Sequence, residues 1–225
     1  MSGPSRLLTA LLCCGALAAC GGSNSQEATS TPTAAPASPA LSSGCEDVQA
    51  PSPKGEGKLA KPKQALDPAK TYVATVTTNC GEFDITLDAK RAPRTGGSFK
   101  YLADKGFFDG LTFHRIVAGF VIQGGDPKGD GSGGPGYSVV EAPPKKLAYT
   151  KGVVAMAKTG AEKPGTSGSQ FFVVTAEDAQ LPPDYALLGK VTKGLDVVDK
   201  IGALPTTADE QPSSPVVIKS VSVTN

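Results

Sequence analysis

The stretch "FHRIVAGFVIQGGD", Phe113–Asp126, holds the only histidine of this 225-residue chain. His114 is followed at once by Arg115, and the rest of the segment is mostly apolar. The pair is either an acid/base centre or a charged donor that needs no proton transfer. Its surroundings favour the second reading. A Ser-His-Asp triad needs a nucleophile beside a base, and the chain has one imidazole and no Gly-x-Ser-x-Gly elbow. Zinc would find almost no ligands, because there is no Cys-x-x-Cys and no Cys/His cluster. "GDGSGG" (129–134) fits the spacing of a dinucleotide fingerprint, but "PGY" follows it and blocks the helix that fingerprint must open. "DPKGDG" (126–131) has too few acids for a calcium loop and lacks the closing Glu. No cofactor and no metal are therefore expected.

Outward from this stretch the pattern is mainly β. "TYVATVTT" (71–78) and "GEFDITLD" (81–88) alternate apolar and polar residues around a turn at 79–81, the mark of a hairpin. Short strand-like runs follow at 111–116, 120–123, 152–157, 170–175 and 187–191, and "PVVIKSVSVT" (215–224) closes the chain with the same alternation. Two helices interrupt them. "APRTGGSFKYLADKG" (92–106) has Pro93 where a first turn tolerates it and Gly106 as a stop, although the pair Gly96-Gly97 weakens it. "LDVVDKIG" (195–202) is the second. Many short strands, Gly-rich turns and two helices predict a closed antiparallel barrel.

The N-terminal third has a different character. Residues 1–19 read as a targeting signal: Arg6 precedes the apolar run Leu7–Ala19, too short to span a bilayer as a mature helix. The run ends in "LAAC", which resembles the lipobox of bacterial lipoproteins, with Cys20 as the lipidated mature N-terminus. A plain signal cut near Ala19, or an uncleaved anchor, is the alternative. Residues 20–70 then read as a linker. The part from 21 to 44 is almost all Gly, Ser, Thr, Pro and Ala and cannot bury enough apolar surface to order itself. In 46–70, lysines and prolines suggest a solvated spacer, with attraction to anionic lipid as the other reading. The folded domain is expected over 71–225. With Cys13 and Cys14 in the signal and Cys20 lipidated, Cys45 and Cys80 form an even pair that predicts a disulfide in an oxidising compartment. Two free thiols are the alternative. The net charge of +1 leaves no basic excess to imply a nucleic-acid partner.

One set of motifs is similar to the cyclophilins: "FHRIVAGFVIQGGD" (113–126), "GDGSGGPGY" (129–137), "VVAMA" (153–157), "GSQFFVVT" (168–175) and "LLGKVTKGLDVVDKI" (187–201), in the family's order from about 72 to 223. The resemblance implies an eight-stranded barrel capped by two helices and a peptidyl-prolyl cis-trans isomerase. By matching motif, Arg115 would be the catalytic donor and Gln123 would orient it. His114 would complete the catalytic group at the pocket rim, through shape and hydrogen bonding. Phe120, Met156, Phe172 and Leu181 would line the pocket for the proline ring. Ala157 and Lys158 would present backbone groups to the residues before proline. Gln170 would contact the peptide, and Tyr185 would supply an apolar edge and a hydroxyl. From periodicity alone Phe120, Met156 and Phe172 read as core, and Arg115 as a surface charge.

The chain departs from the family pattern in places. Lys158 stands where Asn is usual, "TGAEKPGTSG" (159–168) differs from the usual loop, Gln180 replaces the Trp of members that bind cyclosporin tightly, and Tyr185 replaces a second His. The resemblance implies a monomeric folding catalyst without cofactor, acting on proline-containing polypeptides. The lipobox would hold it to the membrane on the extracytoplasmic side. The contrasting class is a proline-peptide-binding chaperone or scaffold on the same fold, without useful turnover.

Overall fold

Alternation of apolar and polar residues builds the sheet, and the computed structural model describes residues 44–225. The expected signal, Cys20 and the first part of the linker lie outside the described residues. In chain order the elements are β1 (Tyr72–Thr78), β2 (Gly81–Leu87), α1 (Pro93–Asp104), β3 (Leu111–Thr112), β4 (Arg115–Val117), β5 (Val121–Gly124), β6 (Val139–Val140), β7 (Val153–Met156), β8 (Thr166–Ser167), β9 (Phe171–Val174), β10 (Leu187–Lys193), α2 (Leu195–Gly202) and β11 (Val217–Thr224). Both helices and the opening hairpin fall where the pattern places them. The run 111–116 is instead split at Phe113–His114, and β6 and β8, which no sequence signal marked, pair as a separate ribbon.

Nine strands share one antiparallel sheet in the order β3-β11-β1-β2-β10-β7-β9-β5-β4. The expected closed, eight-stranded ladder is corrected here to an open, curled one whose ends are β3 and β4. Those ends are joined in the chain by only Phe113 and His114. The segment between α2 and β11 bridges the gap: Phe113 N–H donates to Val216 O at 2.9 Å and Ile116 N–H to Glu210 O at 2.8 Å. Backbone groups at the open edge are satisfied by a loop rather than by a strand.

Inside the curl the core is dense and apolar. Phe171 is fully buried and meets Phe99, Phe108 and Phe113 edge to face at 5.6, 6.0 and 5.7 Å between ring centres. Helix α1 covers one end of this core with Phe99 and Leu102, both fully buried.

Residues 46–70 are mostly exposed, as expected of a solvated segment, but they are not a free linker. They have no regular secondary structure, yet they run along the domain as a strap. Backbone N–H groups of Glu46, Lys54, Gly57, Leu59 and Leu66 donate to carbonyls of Asn79, Pro127, Gly134, Pro135 and Pro93 at 2.8–2.9 Å. The disulfide Cys45–Cys80 is present and ties the start of the strap to the β1–β2 turn. In a loop-closure model a bridge over 35 residues stabilises by about 4 kcal/mol.

The strap also explains the glycines that weakened the first helix. A Cβ on Gly97 would lie 2.5 Å from Gln64 O, and one on Gly96 would lie 2.5 Å from Leu66 Cδ1. The helix accepts a poor helix former twice so that the strap can lie against its backbone.

Candidate active site

The site is a row across four strands. Pairing sets Arg115 of β4 opposite Gln123 of β5, Gln123 opposite Phe172 of β9, and Phe172 opposite Ala155 of β7. Side chains alternate sides along a strand, so these four residues share the outer face of the sheet. Their neighbours Ile116, Ile122, Val173 and Val154 point into the core and are fully buried.

On the outer face lies a cavity of about 170 Å³ lined by Arg115, Phe120, Val121, Gln123, Phe172 and Leu181, with Ala157, Lys158 and Tyr185 on its rim. Its floor is aromatic. Phe172 meets Tyr185 edge to face at 5.4 Å, and Tyr149 stands behind both at 6.2 and 6.0 Å. Tyr149 is held in place by its hydroxyl, which donates to Tyr185 O at 2.6 Å and accepts from Tyr185 N–H at 3.0 Å. Burial, the largest cause, pushes that phenol up to about 12, so it stays protonated and structural.

The polar side of the cavity is a chain of donors. Arg115 Nε donates to Glu210 Oε2 at 2.6 Å, and Nη1 donates to Gln123 Oε1 over a longer 3.4 Å. Gln123 Nε2 donates to Gln170 Oε1 at 3.0 Å. Gln170 Nε2 in turn donates to Gly131 O and Gly133 O, each at 2.9 Å. That glycine loop is pinned by the strap through Gly57 and Leu59, and by the buried Asp126, which accepts from Lys128 N–H at 2.8 Å. A second, larger groove of about 570 Å³ adjoins along the loop and shares Gln123, Ala157 and Lys158 with the first cavity.

Most of the anticipated residues converge here: Arg115, Phe120, Gln123, Ala157, Lys158, Phe172, Leu181 and Tyr185 all line the cavity, and Gln170 stands one bond behind it. Four differ in detail. Met156 is 1% exposed and sits in the core inside the curl, opposite Phe171, so it is no pocket wall; the alternation that turns Ala155 and Ala157 outward turns it inward. Val121 provides the wall instead. The N–H of Ala157 is committed to Gln170 O at 2.9 Å and is not free for a peptide.

His114 is buried at 9% exposure and lies away from the cavity lining. Burial lowers its pKa below the usual imidazole value, with the Asp126 carboxylate opposing that shift and Arg115 adding to it. A neutral buried ring is a packing residue rather than a proton shuttle. Lys158 does more than lend its backbone. Its side chain is 6% exposed, pairs with Asp184 at 3.4 Å and lies 5.6 Å over the Tyr185 ring, which buttresses the rim.

A cavity floored by apolar side chains, with a forked cation at its edge, suits a site that grips a chain and stabilises a distorted state of it. Comparison with known proteins agrees. Residues 73–223 match the family model described as "Cyclophilin type peptidyl-prolyl cis-trans isomerase/CLD". The chain is 36% identical over 174 residues to peptidyl-prolyl cis-trans isomerase A of Mycobacterium tuberculosis, covering 69% of this chain and 94% of that protein. It is 39% identical over 175 residues to peptidyl-prolyl cis-trans isomerase B of Streptomyces anulatus, covering 69% and 98%. A solved cyclophilin type peptidyl-prolyl cis-trans isomerase of Cryptosporidium parvum superposes with a TM-score of 0.65 at 30% identity, covering 69% of this chain and 99% of that one. The chain belongs to the cyclophilin-type peptidyl-prolyl cis-trans isomerase family.

Proposed function

We propose that this protein catalyses rotation about X-Pro peptide bonds in exported polypeptides, held to the outer face of the membrane by a lipidated Cys20. The observation that carries the catalytic part is Arg115 set at the edge of the Phe120–Phe172 cavity. The Cryptosporidium protein has also been solved in the presence of the dipeptide Ala-Pro, which supports proline as the group gripped.

The physics assigns each part. Amide resonance opposes rotation by roughly 18–20 kcal/mol, so uncatalysed exchange takes tens to hundreds of seconds. The apolar cavity holds the proline ring, and Tyr185 and Leu181 close its edge. As the amide twists, its nitrogen loses conjugation and gains a lone pair. The Arg115 guanidinium donates to that developing charge, an interaction that strengthens only in the transition state. A planar, permanently charged fork with several N–H groups suits this better than a flexible ammonium. Gln123 fixes the guanidinium from the β5 side. No covalent bond forms or breaks, and no proton moves.

Catalysed cis-to-trans exchange in a short Ala-Pro peptide tests the reading. Arg115→Ala should lose activity while keeping peptide binding; equal rates would leave a proline-binding scaffold. The location rests on the segment 1–20, with its apolar run ending in "LAAC". Mass spectrometry of the membrane fraction should find an acylated N-terminal Cys20, and a soluble mature form beginning elsewhere refutes the anchor.

A further inference from the structure

Arg115 is held from two sides, and only one of them is part of the motif around it. Gln123 comes from the adjacent strand, at 3.4 Å. The closer partner, Glu210 at 2.6 Å, is 95 residues further along the chain, in the loop that bridges the open edge of the sheet. We propose that Glu210 is the positioning residue for Arg115: it fixes the guanidinium through Nε and leaves the outer N–H groups aimed at the proline cavity. This rests on the isomerase reading of the same site.

The loop is built to deliver that carboxylate. Thr206 and Pro212 form a bridge, Thr207 N–H donates to Gln211 O at 2.8 Å, and Ser213 N–H donates to Pro205 O at 2.8 Å. These close a narrow turn with Glu210 near its tip. Glu210 O then accepts from Ile116 N–H at 2.8 Å, which docks the tip on β4 one residue from Arg115. The residue pays a local conformational cost there. Its φ is 61°, left-handed, a region that a Glu side chain adopts reluctantly. Glycine would fill the turn without strain. The carboxylate is the one feature a glycine would lack.

The alternative role is a brake, in which the carboxylate cancels the charge that Arg115 offers the substrate. Both groups are more than a third exposed, at 36% and 45%, so water screens much of that effect. The geometric effect is not screened. An unanchored Arg side chain has many rotamers, and loss of near-attack placement is costly in rate.

The full chain is assayed on the Ala-Pro peptide as wild type, Glu210→Gly, Glu210→Gln and Arg115→Ala. Glu210→Gly relieves the backbone strain and deletes the carboxylate. It should keep or raise Tm, lower kcat about tenfold and leave KM within about twofold, as expected for a transition-state interaction. Glu210→Gln keeps an acceptor for Nε–H and should recover to within about threefold of wild type. The Arg115 Nε–H resonance should be protected from solvent exchange in wild type and Glu210→Gln, and lose that protection in Glu210→Gly. Wild-type or higher kcat in Glu210→Gly, with Arg115→Ala inactive, overturns the positioning role and leaves the isomerase reading standing. Full activity in Arg115→Ala overturns both.

Discussion

The two faces of strands β4, β5, β9 and β7 differ in everything except their backbone. Inward, Ile116, Ile122, Val173 and Val154 form a fully buried apolar row. Outward, one residue along each strand, Arg115, Gln123 and Phe172 line a cavity, with Ala155 buried beneath it. Stability and chemistry are separated by the period of two that every strand imposes. A slip of one residue in register would exchange the faces, burying a guanidinium and exposing the core, so the core fixes where the site can be.

Adjacent residues on β9 break this comparison most sharply. Phe171→Ala removes a fully buried ring packed against three others and should cost about 3–5 kcal/mol in denaturant unfolding, with the folded fraction still active. Phe172→Ala, its neighbour on the outer face, is also nearly buried and should cost about 3 kcal/mol, but should in addition raise KM for the Ala-Pro peptide about tenfold. If both act on stability alone, the outer face is only a second core.

The smallest effect concerns His114, which lies between the two faces at the break from β3 to β4. Its pKa is depressed in the folded state, so the unfolded chain binds the proton more readily. Its contribution to stability should be complete above about pH 6.5 and should be lost as pH falls below that value. Catalysis should be flat from about pH 7 to 9, because the lowered pKa of His114 keeps that ring neutral throughout. A bell-shaped rate profile in that window would point back to proton transfer.

The face pattern and both helices were legible in the sequence because they depend on local periodicity. Arg115, Phe120, Gln123 and Phe172 were legible as a set because their motifs resemble a known family. What stayed hidden depends on pairing at long range. Met156 was assigned to the pocket by its motif, but the register with Phe171 turns it into the core, and Val121 takes that place. Tyr149 supports the cavity floor from behind and comes from a stretch with no motif. Glu210 reaches Arg115 only through the loop that fills the open edge. The strap was read as a solvated spacer because its composition offers few apolar residues; it is mostly exposed, and the cysteine pair foretold its disulfide, but its backbone hydrogen bonds and glycine close approach at 57, 96 and 97 are not reported by composition.

The central claim is that Arg115 works on the outer face without contributing to the core. It is tested most directly by measuring Ala-Pro exchange and thermal unfolding together for wild type and Arg115→Ala. The account predicts a loss of about 10²–10³ in kcat, as for removal of a preorganised donor, with Tm changed by no more than a few degrees. Undiminished exchange in Arg115→Ala would contradict it.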